Sequence, residues 1–286
     1  MSELLPIIGP DKDIMAPDVG TDEKNMAWMI DTYSVNAGFS VPGVVTGKPV
    51  VLGGSLGRNS ATGDGVALCA VKALREIGAD VFGARVGVIG FGKVGYYAAK
   101  AMEEAGMDVV AVGYVSGGYI GFDSLEQLRR YSLDNGSLNG FEGGERLSND
   151  EILEMELDVL VPAALSDLIT KDNASRVRSK IVVEGANSPT TTEADEILES
   201  NNVLVIPDIL ANAGGVIVSY FEWVQDNQNY FWSLEEVKGN LERVMDRSYS
   251  EVMEVGRIFK ISRREAAWKV GVGRVLESHK LRGLYP

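Results

Sequence analysis

The chain has 286 residues, 45% hydrophobic and 24% charged, enough for one large α/β domain or one such domain with an appendage. Aspartate and glutamate number 41 against 27 lysines and arginines, and the net charge of −14 repels nucleic-acid phosphates and anionic lipid. No apolar run approaches the roughly 18 residues that span a bilayer. The single cysteine excludes an internal disulfide, and the single histidine gives poor support to a His-ligated metal or a Ser-His-Asp triad.

The start, Met1-Ser2-Glu3-Leu4, lacks a basic stretch followed by an apolar one, so no secretory signal is read there, and a cytoplasmic location is expected. Residues 21–38 and 61–78 are amphipathic and read as helices. Cys69 falls in the apolar run of the second, where buried filler is the expected role. Short β-branched runs then recur at 85–90, 108–112, 158–162, 180–184 and 203–207. Continuous apolar runs of this length suit parallel strands covered on both faces. Helical segments at 94–105 and 124–135 lie between them. Ser148-Asn-Asp-Glu151 is a capping box, and Thr192-Glu-Ala-Asp195 is a weaker helix start. Residues 136–146 are rich in glycine and polar residues and read as a surface loop. After Pro207 the pattern turns helical, with long amphipathic segments at 233–255 and 262–280. The single histidine, His279, stands in a basic run at the end of the last one, where a cation suits the helix dipole.

Alternating β and α at this spacing predicts an α/β fold: a doubly wound, mostly parallel sheet with flanking helices and a C-terminal helical closure. The strand at 85–90 runs into Gly90-Phe91-Gly92-Lys93-Val94-Gly95 and then a helix, which is G-x-G-x-x-G in the setting that gives it meaning, a Rossmann-type turn. Gly90 allows the tight turn, Gly92 lets main chain approach a diphosphate, and Gly95 allows close helix–strand packing. All six residues are candidates for cofactor binding at the helix N-terminus. The expected partner is an acid at the end of the next strand, to hold the ribose hydroxyls. That end reads Ala111-Val-Gly-Tyr-Val-Ser116 and contains no acid and no base. Asp108 is at the strand's start and is not assigned. NAD and NADP both remain open, with a slight preference for NAD.

Several stretches resemble the glutamate dehydrogenase family, the Glu/Leu/Phe/Val dehydrogenases. They are Ile14-Met-Ala-Pro-Asp-Val-Gly-Thr21, Val45-Thr-Gly-Lys-Pro49, Gly53-Gly-Ser-Leu-Gly-Arg58 with Ala61-Thr-Gly63, Val161-Pro-Ala-Ala-Leu165, Val183-Glu-Gly-Ala-Asn187 and Pro207-Asp-Ile-Leu-Ala-Asn-Ala-Gly-Gly-Val216 into Val218-Ser-Tyr-Phe-Glu-Trp223. The resemblance runs in order through nearly the whole chain. It implies NAD(P)-dependent oxidative deamination of L-glutamate to 2-oxoglutarate and ammonia. It makes Asp18 the acid/base carboxylate, and places Thr62, Arg58, Ala163, Ala164, Asn187 and Asn212 around the cofactor. It makes Ser219 the hydroxyl that meets the substrate side-chain carboxylate. Without the resemblance, Asp18 is a turn aspartate and Thr62 a helix N-cap. Tyr220-Phe-Glu-Trp223 reads as core, and Lys48 matches the Thr-Gly-Lys-Pro motif, not a catalytic lysine.

The family's substrate lysines lie in a glycine-rich segment with no equivalent here, so residues 1–40 read as a remnant of the substrate domain with a linking helix. Residues 41–286 read as the dinucleotide-binding domain. The expectation is the cofactor half of an enzyme, not active alone, working as a homo-oligomer or with a separate N-terminal substrate domain. Two other readings stay open: a non-catalytic nucleotide-binding module of the same fold, and a branched-chain or aromatic amino-acid dehydrogenase.

Overall fold

A computed structural model describes residues 2–18 and 20–283. The elements follow in chain order: α1 (Glu23–Ala37), α2 (Ala61–Glu76), β1 (Arg85–Ile89), α3 (Lys93–Glu104), β2 (Asp108–Tyr114), β3 (Gly117–Ile120), α4 (Leu125–Asn135), β4 (Glu145–Leu147), α5 (Asn149–Leu153), β5 (Val159–Pro162), β6 (Ile181–Val183), α6 (Thr192–Ser200), β7 (Leu204–Ile206), α7 (Asp208–Ala211), α8 (Gly214–Gln228), α9 (Leu234–Phe259) and α10 (Arg263–Arg282). By contacts the chain forms two compact units, Met1–Ala61 with Gly214–Val244, and Thr62–Ala213 with Met245–Pro286.

The second unit is built on a seven-stranded sheet of order β4-β3-β2-β1-β5-β6-β7. Strands β2, β1, β5, β6 and β7 are parallel neighbours, as their apolar runs predict. Every residue of β5 and β6 is buried, because helices cover both faces. β3 and β4 extend the sheet antiparallel at its edge. β4 overlaps the end of the stretch 136–146 that reads as a surface loop, and β3 follows β2 in residues 117–120, to which the sequence pattern assigns no element. Each is short and glycine-rich or charged, so neither carries a readable alternation. The core of this unit joins Ile89, Ala111, Ile152, Leu160, Val182 and Leu198 across the sheet.

Local signals set most helix starts. Ser148 accepts from the Glu151 main-chain N–H while the Glu151 side chain accepts from Ser148, the reciprocal box read from the sequence. The start expected at Thr192 lies one residue earlier: Thr191 is the cap and accepts from the Ala194 N–H. Thr62 is not a cap at all, because α2 begins at Ala61. Cys69 is buried, and burial pushes its thiol up to about 12. The basic last turn of α10 holds His279, Lys280 and Arg282.

The first unit packs α1 on a small core of Ile8, Met26, Ile30, Val44 and Val45. Asp22 caps α1 through a reciprocal box with Asn25. Of the segment 220–223 expected in the core, Glu222 is fully buried but Tyr220 is 59% exposed. Among the described residues no helix is long and apolar enough to cross a membrane.

Candidate functional site

In the second unit the strand-to-helix turn after β1 has the geometry the glycines require. Gly90 has φ 108°, in the left-handed region, and a Cβ there would lie 2.4 Å from the Ala164 nitrogen. A Cβ on Gly95 would stand 1.7 Å from the Gly90 carbonyl oxygen, so α3 reaches β1 at main-chain distance only because residue 95 is bare. At Gly92 nothing lies within 4 Å of the Cβ position. Gly92 is the N-cap of α3 and makes no side-chain cap, so neither a Cβ nor a capping side chain of residue 92 screens the start of the helix. This is a cradle that fits a diphosphate. Phe91 is fully buried and packs edge-on against Tyr96, with ring centroids 5.7 Å apart. It can meet a ligand only through its main chain. Lys93 is exposed and opens α3, and Val94 is half-buried behind it.

The other expected cofactor residues of this unit gather at the carboxyl edge of the sheet. The Ala163 N–H donates to the Ile89 carbonyl at 2.7 Å, and the Gly185 and Ala186 N–H groups both donate to Pro162 at 3.0 Å. The turns after β1, β5 and β6 are thus stitched together. Asn187 follows β6. Asn212 closes the short helix α7. The two meet: Asn212 Nδ2 donates to Asn187 Oδ1 at 2.7 Å. Thr62 is half-buried in the first turn of α2, where the bare Gly63 packs on the α3 main chain at Ala98.

Behind that edge stands a charged group that the sequence reading did not find. Arg264 of α10 donates to both oxygens of Glu184, at 2.9 and 2.7 Å, and to both of Asp195, at 2.6 and 3.2 Å. Burial opposes its charge, but Glu184 and Asp195 outweigh that and hold the guanidinium above its ordinary range. Glu184 accepts from the Asp208 N–H, and Asp208 accepts from the Ser188 N–H, each at 2.8 Å. Ser188 has φ 47°, unusual for serine, and directly follows Asn187. A run of hydrogen bonds therefore ties the C-terminal helix to the turn that carries Asn187.

In the first unit, Arg58 Nε donates to Ser219 Oγ at 2.8 Å. Burial pulls the Arg58 guanidinium below its ordinary value, with Glu222 opposing. Because Ser219 accepts from Arg58, its own proton is left to donate to a further acceptor. One turn along α8 from Ser219, Glu222 accepts from Lys48 Nζ at 2.7 Å and from the N–H groups of Lys48 and Ser55. Asp226 takes the same ammonium at 2.5 Å, and all three side chains are wholly buried. Asp226 is pushed up to about 6, first by burial, against Lys48 and with Glu222. This cluster holds the glycine-rich segment before Arg58 on the helix that carries Ser219. Asp18 is exposed, in a turn where its N–H donates to Thr21 Oγ1 at 2.8 Å. Its neighbour Pro17 leaves no room for a Cβ on Gly47, the residue before Lys48. Arg58 and Ser219 are thus held beside one buried cluster, and the segment before Asp18 packs on the residue that precedes Lys48.

The sequence profile of the Glutamate/Leucine/Phenylalanine/Valine dehydrogenase family matches residues 53–283, and that of the Glu/Leu/Phe/Val dehydrogenase dimerisation domain matches residues 1–35. The chain belongs to the Glu/Leu/Phe/Val dehydrogenase family. It is 51% identical to a glutamate dehydrogenase of Thermotoga maritima, over 100% of this chain and 69% of the relative. It is 47% identical to a cryptic catabolic NAD-specific glutamate dehydrogenase of Bacillus subtilis, over 97% of this chain and 65% of the relative. The crystal structure of a hetero-hexameric glutamate dehydrogenase from Thermus thermophilus, in a Leu-bound form, superposes with a TM-score of 0.94 at 40% identity. That match covers 100% of this chain and 68% of that one. The chain spans about two thirds of the length of these dehydrogenases.

Proposed function

We propose that this chain provides the cofactor-binding half, and part of the substrate site, of a glutamate dehydrogenase. The reaction is NAD(P)-dependent oxidative deamination of L-glutamate to 2-oxoglutarate and ammonia. The observation that carries the reading is the turn at 90–95, with an open face at Gly92 and closed packing at Gly95. A nicotinamide dinucleotide, when bound, would supply the hydride acceptor for the amino-acid Cα.

The chain's own residues do the rest. Main-chain N–H groups at the start of α3 would hold the diphosphate, Asn187 and Asn212 with Ala163 and Ala164 would hold the nicotinamide and its ribose, and Thr62 would meet the amide. Ser219 donates to the side-chain carboxylate of the substrate while Arg58 adds a positive charge. That pair favours glutamate over an apolar amino acid, which offers a half-buried hydroxyl and cation nothing charged to meet. Asp18 takes and returns the protons exchanged as water enters and ammonia leaves. Residues 1–40 act as the end of a substrate domain and 41–286 as the dinucleotide-binding domain. The working protein is a cytoplasmic homo-oligomer.

Gly92→Ala separates binding from folding. Alanine is sterically free there and φ is −75°. The variant should unfold within about 0.5 kcal/mol of the parent. Its affinity for reduced nicotinamide dinucleotide should fall about tenfold, since the methyl group stands where the diphosphate must lie. Unchanged affinity in calorimetry would sink the reading.

The lack of an acid in 111–116 favours a second reading, a nucleotide-binding module without catalysis. Oxidation of the reduced cofactor with 2-oxoglutarate and ammonium decides between the two.

A further inference from the structure

We infer that Arg146 reads the 2′ position of the cofactor's adenosine ribose and favours a 2′-phosphate there, so that this chain takes NADP(H) ahead of NAD(H). The inference rests on the dinucleotide reading above. In a sheet of this type the adenosine ribose lies at the carboxyl end of the second strand. An acid at that point accepts from a free 2′-hydroxyl, and an arginine nearby accommodates a 2′-phosphate. β2 ends at Tyr114, and Val115 and Ser116 turn directly into β3. None of the three is acidic.

The fold brings a base to this corner from 30 residues away. Arg146 sits in β4, opposite Tyr119 of β3. Its Nη2 donates to the Ser116 carbonyl at 2.8 Å and reaches Asn139 Oδ1 at 3.5 Å. Ser116 Oγ donates to the same Asn139 oxygen at 2.6 Å, so guanidinium, amide and turn form one small network. Both of these acceptors on Arg146 are neutral and the residue is exposed, so its charge is held at the turn without being cancelled by a carboxylate there.

A second arginine guards the other end of this stretch. Arg129 of α4 reaches the Phe91 carbonyl at 3.5 Å and lies 5.2 Å over the Tyr96 ring. The glycine turn and the β2 turn therefore each carry an arginine from a later element. A planar guanidinium fork matches phosphate oxygens in a bidentate way, and such charge-assisted hydrogen bonds are stronger than neutral ones. An acid in 114–116 would repel the 2′-phosphate; its absence and the presence of Arg146 point the same way.

The test is calorimetric titration of the full chain with NADPH, NADH, 2′,5′-ADP and 5′-ADP. The parent should bind NADPH about tenfold or more tighter than NADH, and 2′,5′-ADP tighter than 5′-ADP by a similar factor. Arg146→Gln should abolish both preferences while NADH and 5′-ADP stay within about twofold. Arg146→Lys should keep part of the preference, as a point charge without the fork. Ser116→Asp should shift the preference toward NADH, and serves if Arg146→Gln does not fold. Equal binding of the two cofactors by the parent, or equal losses in Arg146→Gln, would overturn the assignment of Arg146 alone. No binding of any of the four would overturn the dinucleotide reading and this inference with it.

Discussion

Arg264 and Arg146 are both held by hydrogen bonds at the edge of the same sheet, yet their surroundings differ in one respect. Arg264 is ringed by carboxylates: Glu184, Asp195 and, at 3.6 Å, Asp208. Arg146 is held by a main-chain carbonyl and an amide oxygen. A guanidinium already neutralised has nothing to offer an incoming anion, and its removal strands the carboxylates around it. A guanidinium fixed by neutral groups keeps its field outward, and its removal leaves little uncompensated in the fold. Geometry alone would class the two as alike; the charge of the acceptors separates them.

The first unit supplies a third case that extends the comparison, a dry lysine between two carboxylates. Lys48→Met leaves Glu222 and Asp226 buried without a cation and should cost about 3–5 kcal/mol in urea unfolding at neutral pH. A loss under about 1 kcal/mol would mean that the cluster does not carry charge as described.

The next effect is in pH. Asp226 is raised from 3.8 to about 6 in the folded chain. Between those values the folded state keeps a proton that the unfolded state has released. Stability from this group is therefore greatest below about pH 4 and falls as pH rises through about 6, by on the order of 3 kcal/mol at most. Asp226→Asn should be flat through that window, with Lys48 and Glu222 left as a simple pair. Parallel profiles for parent and variant would remove Asp226 as the source.

Arg264→Met should cost less than Lys48→Met, about 2 kcal/mol, because the arginine is 22% exposed and water can partly replace it on Asp195. The same variant should loosen the Asn187 turn and weaken the reduced cofactor more than 5′-ADP. Arg146→Gln comes last, with stability changed by about 0.5 kcal/mol or less. A larger loss there would place Arg146 among the structural arginines and break the comparison.

How much of this is legible in the sequence follows from how far apart the partners lie. The turn at 90–95 is local, and Gly90 and Gly95 show the tight turn and the close helix–strand packing read for them. The five parallel strands announce themselves because burial on both faces demands unbroken apolar runs. β3 and β4 do not: Gly117-Gly118-Tyr119-Ile120 and Glu145-Arg146-Leu147 acquire strand character only from pairing with β2 and with each other. Lys48 and Glu222 lie 174 positions apart, and Arg264 and Glu184 lie 80 apart. Nothing in the periodicity of either segment marks them as partners. Ser219 and Arg58 could be named from a resemblance, but that one orients the other's proton is a fact of α8 packing.

The only thiol of the chain lies at 1% exposure in α2, its proton held too tightly for ready reaction. It makes the protein its own clock for opening. A thiol-reactive dye has one place to attach, and attaches there only when that helix lifts away. The labelling rate under native conditions thus reads the population of that opened form, with no engineered probe and no perturbation of the parent chain.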